Sequence, residues 1–194
     1  MRRRPATPSD GVTGAPGCGI LRRRRSVGGA AAEVDVRCRV TVPASTSNLG
    51  PGFDCLGLAL EPALRVDLGS RASPGVAIDL HGSETLAVPR DETNLIWVAL
   101  RDTLQRLGVE PPGVQLHIHN EIPLARGLGS SGAAITAGVT LAHILADVGE
   151  PSRAAILADA VRLEGHPDNV APQVLGGFVA ATTVGERFHT VHLP

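Results

Sequence analysis

The run Pro123-Leu-Ala-Arg-Gly-Leu-Gly-Ser-Ser-Gly-Ala-Ala134 concentrates the residue types that hold a phosphate. Gly127, Gly129 and Gly132 let a backbone come close to an anion and turn successive N–H groups towards it. Small residues continue from Ser130, and a helix starting there aims its positive end at the same point. Ser130 and Ser131 add hydroxyls for a phosphate or a metal ion. The same residues also suit a plain strand-to-helix connection with Ser130 as N-cap. Two commoner nucleotide fingerprints are excluded. The run lacks the Gly-Lys-Ser/Thr ending of a P-loop, and no acid stands at the distance that reads a ribose in a dinucleotide site.

Two further segments carry polar groups among turn residues. In Ala44–Leu58 (ASTSNLGPGFDCLGL), Asn48 and Asp54 suit a surface turn braced by their side chains. In Glu164–Pro172 (EGHPDNVAP), Glu164, Asp168 and Asn169 offer hard oxygen ligands of the kind Mg²⁺ takes beside ATP phosphates. A helix end capped by Gly165 and followed by an Asp-Asn turn accounts for that segment equally well. His117 and His119 share one face of a strand, the spacing of a metal-ligand pair. No third ligand stands near them, so an exposed polar face is the reading taken. His166 is read as structural.

In order and spacing, these three segments resemble the GHMP kinases, the superfamily of galactokinase, homoserine kinase, mevalonate kinase and phosphomevalonate kinase. The GLGSS loop carries the superfamily signature, while SNLGPGFD (Ser47–Asp54) and EGHPDNVAP resemble homoserine kinase in particular. The resemblance implies an α+β fold, that of the GHMP kinase N-terminal domain (ribosomal protein S5 domain 2-like), with an incomplete C-terminal part. It implies ATP-dependent phosphorylation of the L-homoserine hydroxyl to O-phospho-L-homoserine, on the way to threonine.

It also assigns residues. Pro123, Leu124, Ala125, Arg126, Gly127, Leu128, Gly129, Ser130, Ser131 and Gly132 are implied as the loop around the ATP phosphates. Asn48 and Asp54 are implied to hold the amino-acid substrate, which fits a carboxylate facing an ammonium and an amide that bonds either polar group. Ser131 and Glu164 are implied as Mg²⁺ ligands. Asn169 is implied beside the acceptor hydroxyl, where mevalonate kinase has an aspartate base; Asp168 is the lesser candidate for a base. An amide cannot take the proton, so transfer would rest on positioning and charge stabilisation.

Homoserine kinases are much longer than this body. Their third glycine-rich motif and substrate-gripping arginines have no counterpart here, since Arg65, Arg126 and Arg162 stand in no motif that replaces them. Two other readings stay open: a GHMP kinase of mevalonate or sugar type, and a nucleotide-binding fragment without catalysis. Asp54 discriminates the first, because a substrate without an ammonium has no need of it.

The elements that position these loops are legible from periodicity. Glu33 to Val42 alternates with period two and reads as a strand ending at Pro43. Further strands are expected at Ala63–Leu68, Val76–Leu80, Val114–Ile118, Gly177–Thr183 and Phe188–Leu193. Helices are expected over Thr93–Leu107, stopped by Gly108, over Ser130–Ala146, and over Ser152–Leu163. This irregular mixture favours α+β. Residues 1–37 hold eight Arg against three acids and read as a disordered Arg-rich tail, leaving 38–194 as the ATP-binding domain.

All 18 basic residues are Arg, so chemistry that needs a lysine is excluded. Past residue 37 the chain is mildly acidic, and the whole has one Trp, three Phe and no Tyr, which argues against base stacking with nucleic acid. Cys18, Cys38 and Cys55 are too scattered for a disulfide framework or a zinc knuckle. With no membrane-length apolar run and no secretory signal pattern, the expected compartment is the cytoplasm. The expected partners are ATP, Mg²⁺ and L-homoserine, with a homodimer left open.

Overall fold

Val40, Val42 and Ala44 point to one side of a long strand and are fully buried, and that strand is the spine of the molecule. The computed structural model describes residues 19–29, 31–82, 85–146, 151–184 and 187–193. Strands β1 (Gly19–Gly29), β2 (Ala31–Leu49) and β3 (Gly52–Ser70) run antiparallel in succession. Then β4 (Val76–Gly82), helix α1 (Leu95–Arg106) and β5 (Val114–Asn120) make a β-α-β unit with its two strands parallel. Helices α2 (Ser130–Leu145), α3 (Arg153–Glu164) and α4 (Pro167–Leu175) follow, and β6 (Phe178–Val184) pairs with β7 (Arg187–Leu193). One seven-stranded sheet has the order β1-β2-β3-β5-β4, with β6 joined to β3 near its hairpin turn and β7 beside β6. One parallel pair in an otherwise antiparallel sheet, with the helices grouped, is the α+β arrangement expected.

The core has two parts with α2 between them. Sheet residues Val66, Leu68, Leu116 and Ile118 meet Leu100 and Leu104 of α1 and Leu141 of α2. On the other flank of α2, Ile135 and Val139 meet Ile156 of α3, Val170 and Val174 of α4 and Val179 of β6. Fully burying a side chain of this size contributes roughly 1.5–3 kcal/mol. A helix covered on both flanks has no room for a polar face, which is why α2 carries no Asp, Glu, Lys or Arg, and its one histidine, His143, is buried. His143 Nε2 lies 2.8 Å from Asp159 Oδ2, and Arg106 donates to the same carboxylate, so one buried acid links α1, α2 and α3.

Helix ends follow the sequence signals. Asn94 caps α1 by accepting from Ile96 N at 3.0 Å, Ser152 caps α3 by accepting from Ala155 N at 3.1 Å, and Gly165 ends α3 in the left-handed region.

Four elements differ from expectation, one of them β3, which begins at Gly52 and not at Ala63 because it pairs with the continued β2. Residues 1–18 of the expected tail lie outside the described residues. Gly19–Gly29 and the start of β2, also placed in the tail, are paired as a hairpin instead. The Arg run Arg22–Arg25 masked an extended stretch that leads into the alternation of Val34 and Val36. Strand β2 does not stop at Pro43. Its pairing with β3 shifts between Pro43 and Ala44, so the residue without an N–H sits at an irregularity and the ladder resumes to Leu49. Finally, Pro167–Leu175 is a helix, with Pro167 at its start and Asp168 in its first turn.

Candidate active site

The extended hairpin carries Ser45 and Ser47 past the sheet on one face of β2, two residues apart. That face meets the loop before α2 on one side and α4 on the other. Ser45 N donates to Leu128 O at 3.1 Å, which stitches the hairpin to the glycine-rich loop. In that loop Ala125, Gly127 and Gly129 all have positive φ (54°, 71° and 66°). Left-handed residues recurring at every second position turn backbone N–H groups into a concave, anion-binding surface. Gly129 is required on two counts. Besides its φ, a Cβ there would lie 2.1 Å from Ser45 Oγ. The next residue, Ser130, opens α2, whose first N–H groups have no partner within the helix.

A cavity of about 660 Å³ lies against this loop. Pro123 through Ser131 line it, together with Ser47, Asn48 and Asn169, so the glycine-rich loop and two of the proposed substrate-side residues face one space. Its other wall is apolar, with Leu80, Val88, Ile96 and Ile118. Gly132 is buried behind the loop in the first turn of α2.

The remaining expected site residues are placed as follows. Ser131 Oγ donates to Glu164 Oε1 at 3.1 Å, bringing the end of α3 to the start of α2. Asn169 sits in the first turn of α4, its Nδ2 donating to Ser47 Oγ at 3.1 Å. Asn48 and Asp54 both have positive φ (60° and 55°), and Asn48 Oδ1 accepts from Asp54 N at 2.9 Å. The Asp54 carboxylate is exposed and lies outside the cavity lining. Asp168 is buried and bonded to His166 Nδ1, and it does not line the cavity. A buried carboxylate occupied in this way is badly placed to reach a substrate proton.

The paired histidines of β5 face the exposed side of the sheet. His117 Nδ1 lies 3.4 Å from Asp79 Oδ2, while His119 approaches Glu121 at 3.6 Å. His81 also bonds Asp79, at 3.0 Å, and that hydrogen bond holds the Asp79 carboxyl below the usual carboxylate range. Among the described residues no group of three His, Cys, Asp or Glu side chains is arranged to hold a metal ion.

Sequence reasoning missed Ser45, Ser47 and Gln173, which join the three loops. Gln173 Nε2 donates to Ser45 Oγ at 2.9 Å and to Gly129 O at 2.7 Å. The period of two in Ser45-Thr46-Ser47 was the available signal for the serines. For Gln173 none existed without knowing that α4 is a helix.

Residues 94–177 match the family described as GHMP kinases N terminal domain. The chain is 46% identical over 163 residues to homoserine kinase of Cutibacterium acnes, covering 82% of this chain and 55% of that protein. It is 47% identical over 145 residues to homoserine kinase of Desulfitobacterium hafniense, covering 75% and 48%. Among solved structures, homoserine kinase of Cytophaga hutchinsonii superposes with a TM-score of 0.68 at 32% identity, covering 80% of this chain and 51% of that one. Mevalonate kinase of Methanococcus jannaschii gives 0.61 at 13% identity, covering 79% and 55%, a likeness of fold alone. The chain spans about half the length of the curated relatives it matches. Taken with the phosphate-loop geometry and the fold, these matches identify a GHMP kinase N-terminal domain in this chain, over residues 94–177.

Proposed function

We propose that this chain supplies the ATP-binding half of an enzyme that phosphorylates L-homoserine. The observation that carries the reading is the shared cavity: the loop of left-handed residues forms one wall and Asn169 with Asn48 another. In the transfer, the homoserine hydroxyl oxygen attacks the γ-phosphorus and the bond to the β–γ bridging oxygen breaks. ADP departs, and the hydroxyl proton passes to solvent or to a phosphate oxygen. Such a loose transition state asks mainly for alignment and for donors around the phosphoryl oxygens. The phosphate-loop N–H groups and the end of α2 supply those donors.

The apolar wall of Leu80, Val88 and Ile118 suits the flat face of a nucleobase. Ser131 and Glu164 offer a hydroxyl and a carboxylate oxygen side by side, a donor set that fits Mg²⁺ at the mouth of the loop. Mg²⁺, when bound, would offset charge on the ATP phosphates. Asn169 rather than Asp168 is assigned to the acceptor, because Asp168 is bonded to His166 and lies outside the cavity lining. Asp54 and Asn48 are assigned to the amino-acid end of the substrate. Residues 38–194 form the nucleotide-binding unit, and the setting proposed is the cytoplasm.

Calorimetric titration of the chain with ATP and Mg²⁺ tests the reading. Saturable binding with a dissociation constant between about 1 µM and 1 mM is expected, the usual range for enzyme substrates. No saturable binding by the folded chain would overturn it.

A further inference from the structure

Gln173 lies outside the cavity and is fully buried, yet it sits at the head of a hydrogen-bond series that ends on the cavity wall. The direction of that series is forced from one end. Gly129 O is a backbone carbonyl and can only accept, so Gln173 turns its NH₂ group towards it, at 2.7 Å. The second hydrogen of that group goes to Ser45 Oγ at 2.9 Å. Ser45 is itself fully buried, and its own hydrogen is then directed to Asn169 Oδ1 at 2.9 Å. Asn169 is left with its carbonyl engaged inside the protein and its NH₂ group beside Ser47 Oγ, both residues on the cavity wall. Flipping the Gln173 amide would set its oxygen against Gly129 O, a repulsive contact. The orientation found is kept although Gln173 Oε1 has no partner among the described residues, a costly state for a buried carbonyl.

We infer that Gln173 is a positioning residue that sets the polarity of Asn169, so that Asn169 presents donors and no acceptor to the cavity. In the reaction proposed above, on which this inference rests for its functional meaning, Asn169 thereby turns its NH₂ group and not its carbonyl towards an oxygen in the cavity.

The chain has only four asparagines, Asn48, Asn94, Asn120 and Asn169. Labelling with ¹⁵N-asparagine therefore gives four side-chain NH₂ signals, and Asn169→Asp identifies the relevant one. In Gln173→Leu, the Asn169 NH₂ signal should move towards its solvent-exposed position and its hydrogen exchange should rise roughly tenfold, the effect of losing about one hydrogen bond. Asn94 and Asn120 bond the carbonyls of Pro89 and Ile122, and their unchanged signals report an intact fold. Gln173→Glu gives a second measurement should the leucine variant disturb those controls. Neither its carboxylate nor its protonated form has the two hydrogens that Gly129 O and Ser45 Oγ accept, so the Asn169 signal should move as it does in Gln173→Leu. An Asn169 signal unmoved in Gln173→Leu or in Gln173→Glu, with the controls intact, overturns the inference. The spectra are recorded without nucleotide. Failure of ATP binding would thus sink the proposed function and leave this result standing, and the reverse also holds.

Discussion

At the scale of single residues, the contact between Ser131 and Glu164 is the one whose meaning depends most on what is bound. A hydroxyl donating to a carboxylate at 3.1 Å across two helices is a sound structural bond by itself. The two oxygens are also hard donors next to a loop suited to phosphate, and a divalent cation between them would replace the hydrogen bond. Glu164→Gln separates the two roles, because the amide keeps the shape and still bonds Ser131 but loses the charge that a cation needs. ATP binding by Glu164→Gln should require roughly tenfold more Mg²⁺ than the parent chain, as expected for the loss of one charged contact of about 1.5 kcal/mol. The check is an ATP titration repeated over a Mg²⁺ series, and an unaltered Mg²⁺ dependence would leave Glu164 as a helix-end residue only.

At the scale of elements, α4 shows how packing can hide from periodicity. Pro172 lies inside this nine-residue helix and has no N–H to give to the Asp168 carbonyl four residues back. That carbonyl points to β3 instead, where a Cβ on Gly57 would lie 2.0 Å from it. A proline that frees a carbonyl and a glycine that admits it together seat α4, and with it Asn169 and Gln173, against the hairpin. Neither half of this pair has meaning in the sequence alone, where Pro172 reads as a loop residue and Gly57 as a strand weakness. The strands and helices with regular spacing, β4, β5, α1, α2, α3, β6 and β7, were legible to within a few residues. The site loops were legible because their glycines and polar residues are local. What escaped was the strand Gly19–Gly29, the part of β3 before Ala63, the continuation of β2 beyond Pro43 and the helix around Pro172; in the last two, tertiary contacts override a proline signal. Gly57→Ala should accordingly cost about 2 kcal/mol through overpacking, lowering the thermal midpoint by roughly 4–8 °C. A melting curve followed by far-ultraviolet circular dichroism checks this, and an unchanged midpoint would mean that α4 yields easily.

For the whole molecule, the amino-acid end of the proposed substrate is assigned to the hairpin tip. Asp54 is exposed at that tip, beyond the cavity lining, with its backbone held by Asn48 Oδ1. Since the chain spans about half the length of its homoserine kinase relatives, the substrate contacts are best measured with this chain joined to the C-terminal half of the Cutibacterium acnes homoserine kinase. In that enzyme Asp54→Asn should raise KM for homoserine about ten- to a hundredfold, the effect of one charge-assisted bond of roughly 1.5–3 kcal/mol, and leave KM for ATP unchanged. Asn48→Ala should act in the same direction by a different route. It frees the Asp54 backbone at a positive φ that the Asn48 side chain helps to hold, and it also removes a neutral partner from the cavity wall. Steady-state kinetics with each substrate varied in turn distinguish these effects. A rise in KM for ATP with homoserine unaffected would assign the hairpin tip to the nucleotide, and equal turnover of mevalonate would remove homoserine as the substrate while leaving the phosphate loop in place. The ammonium is the deciding group, because mevalonate offers two hydroxyls and a carboxylate but no cation for Asp54 to hold.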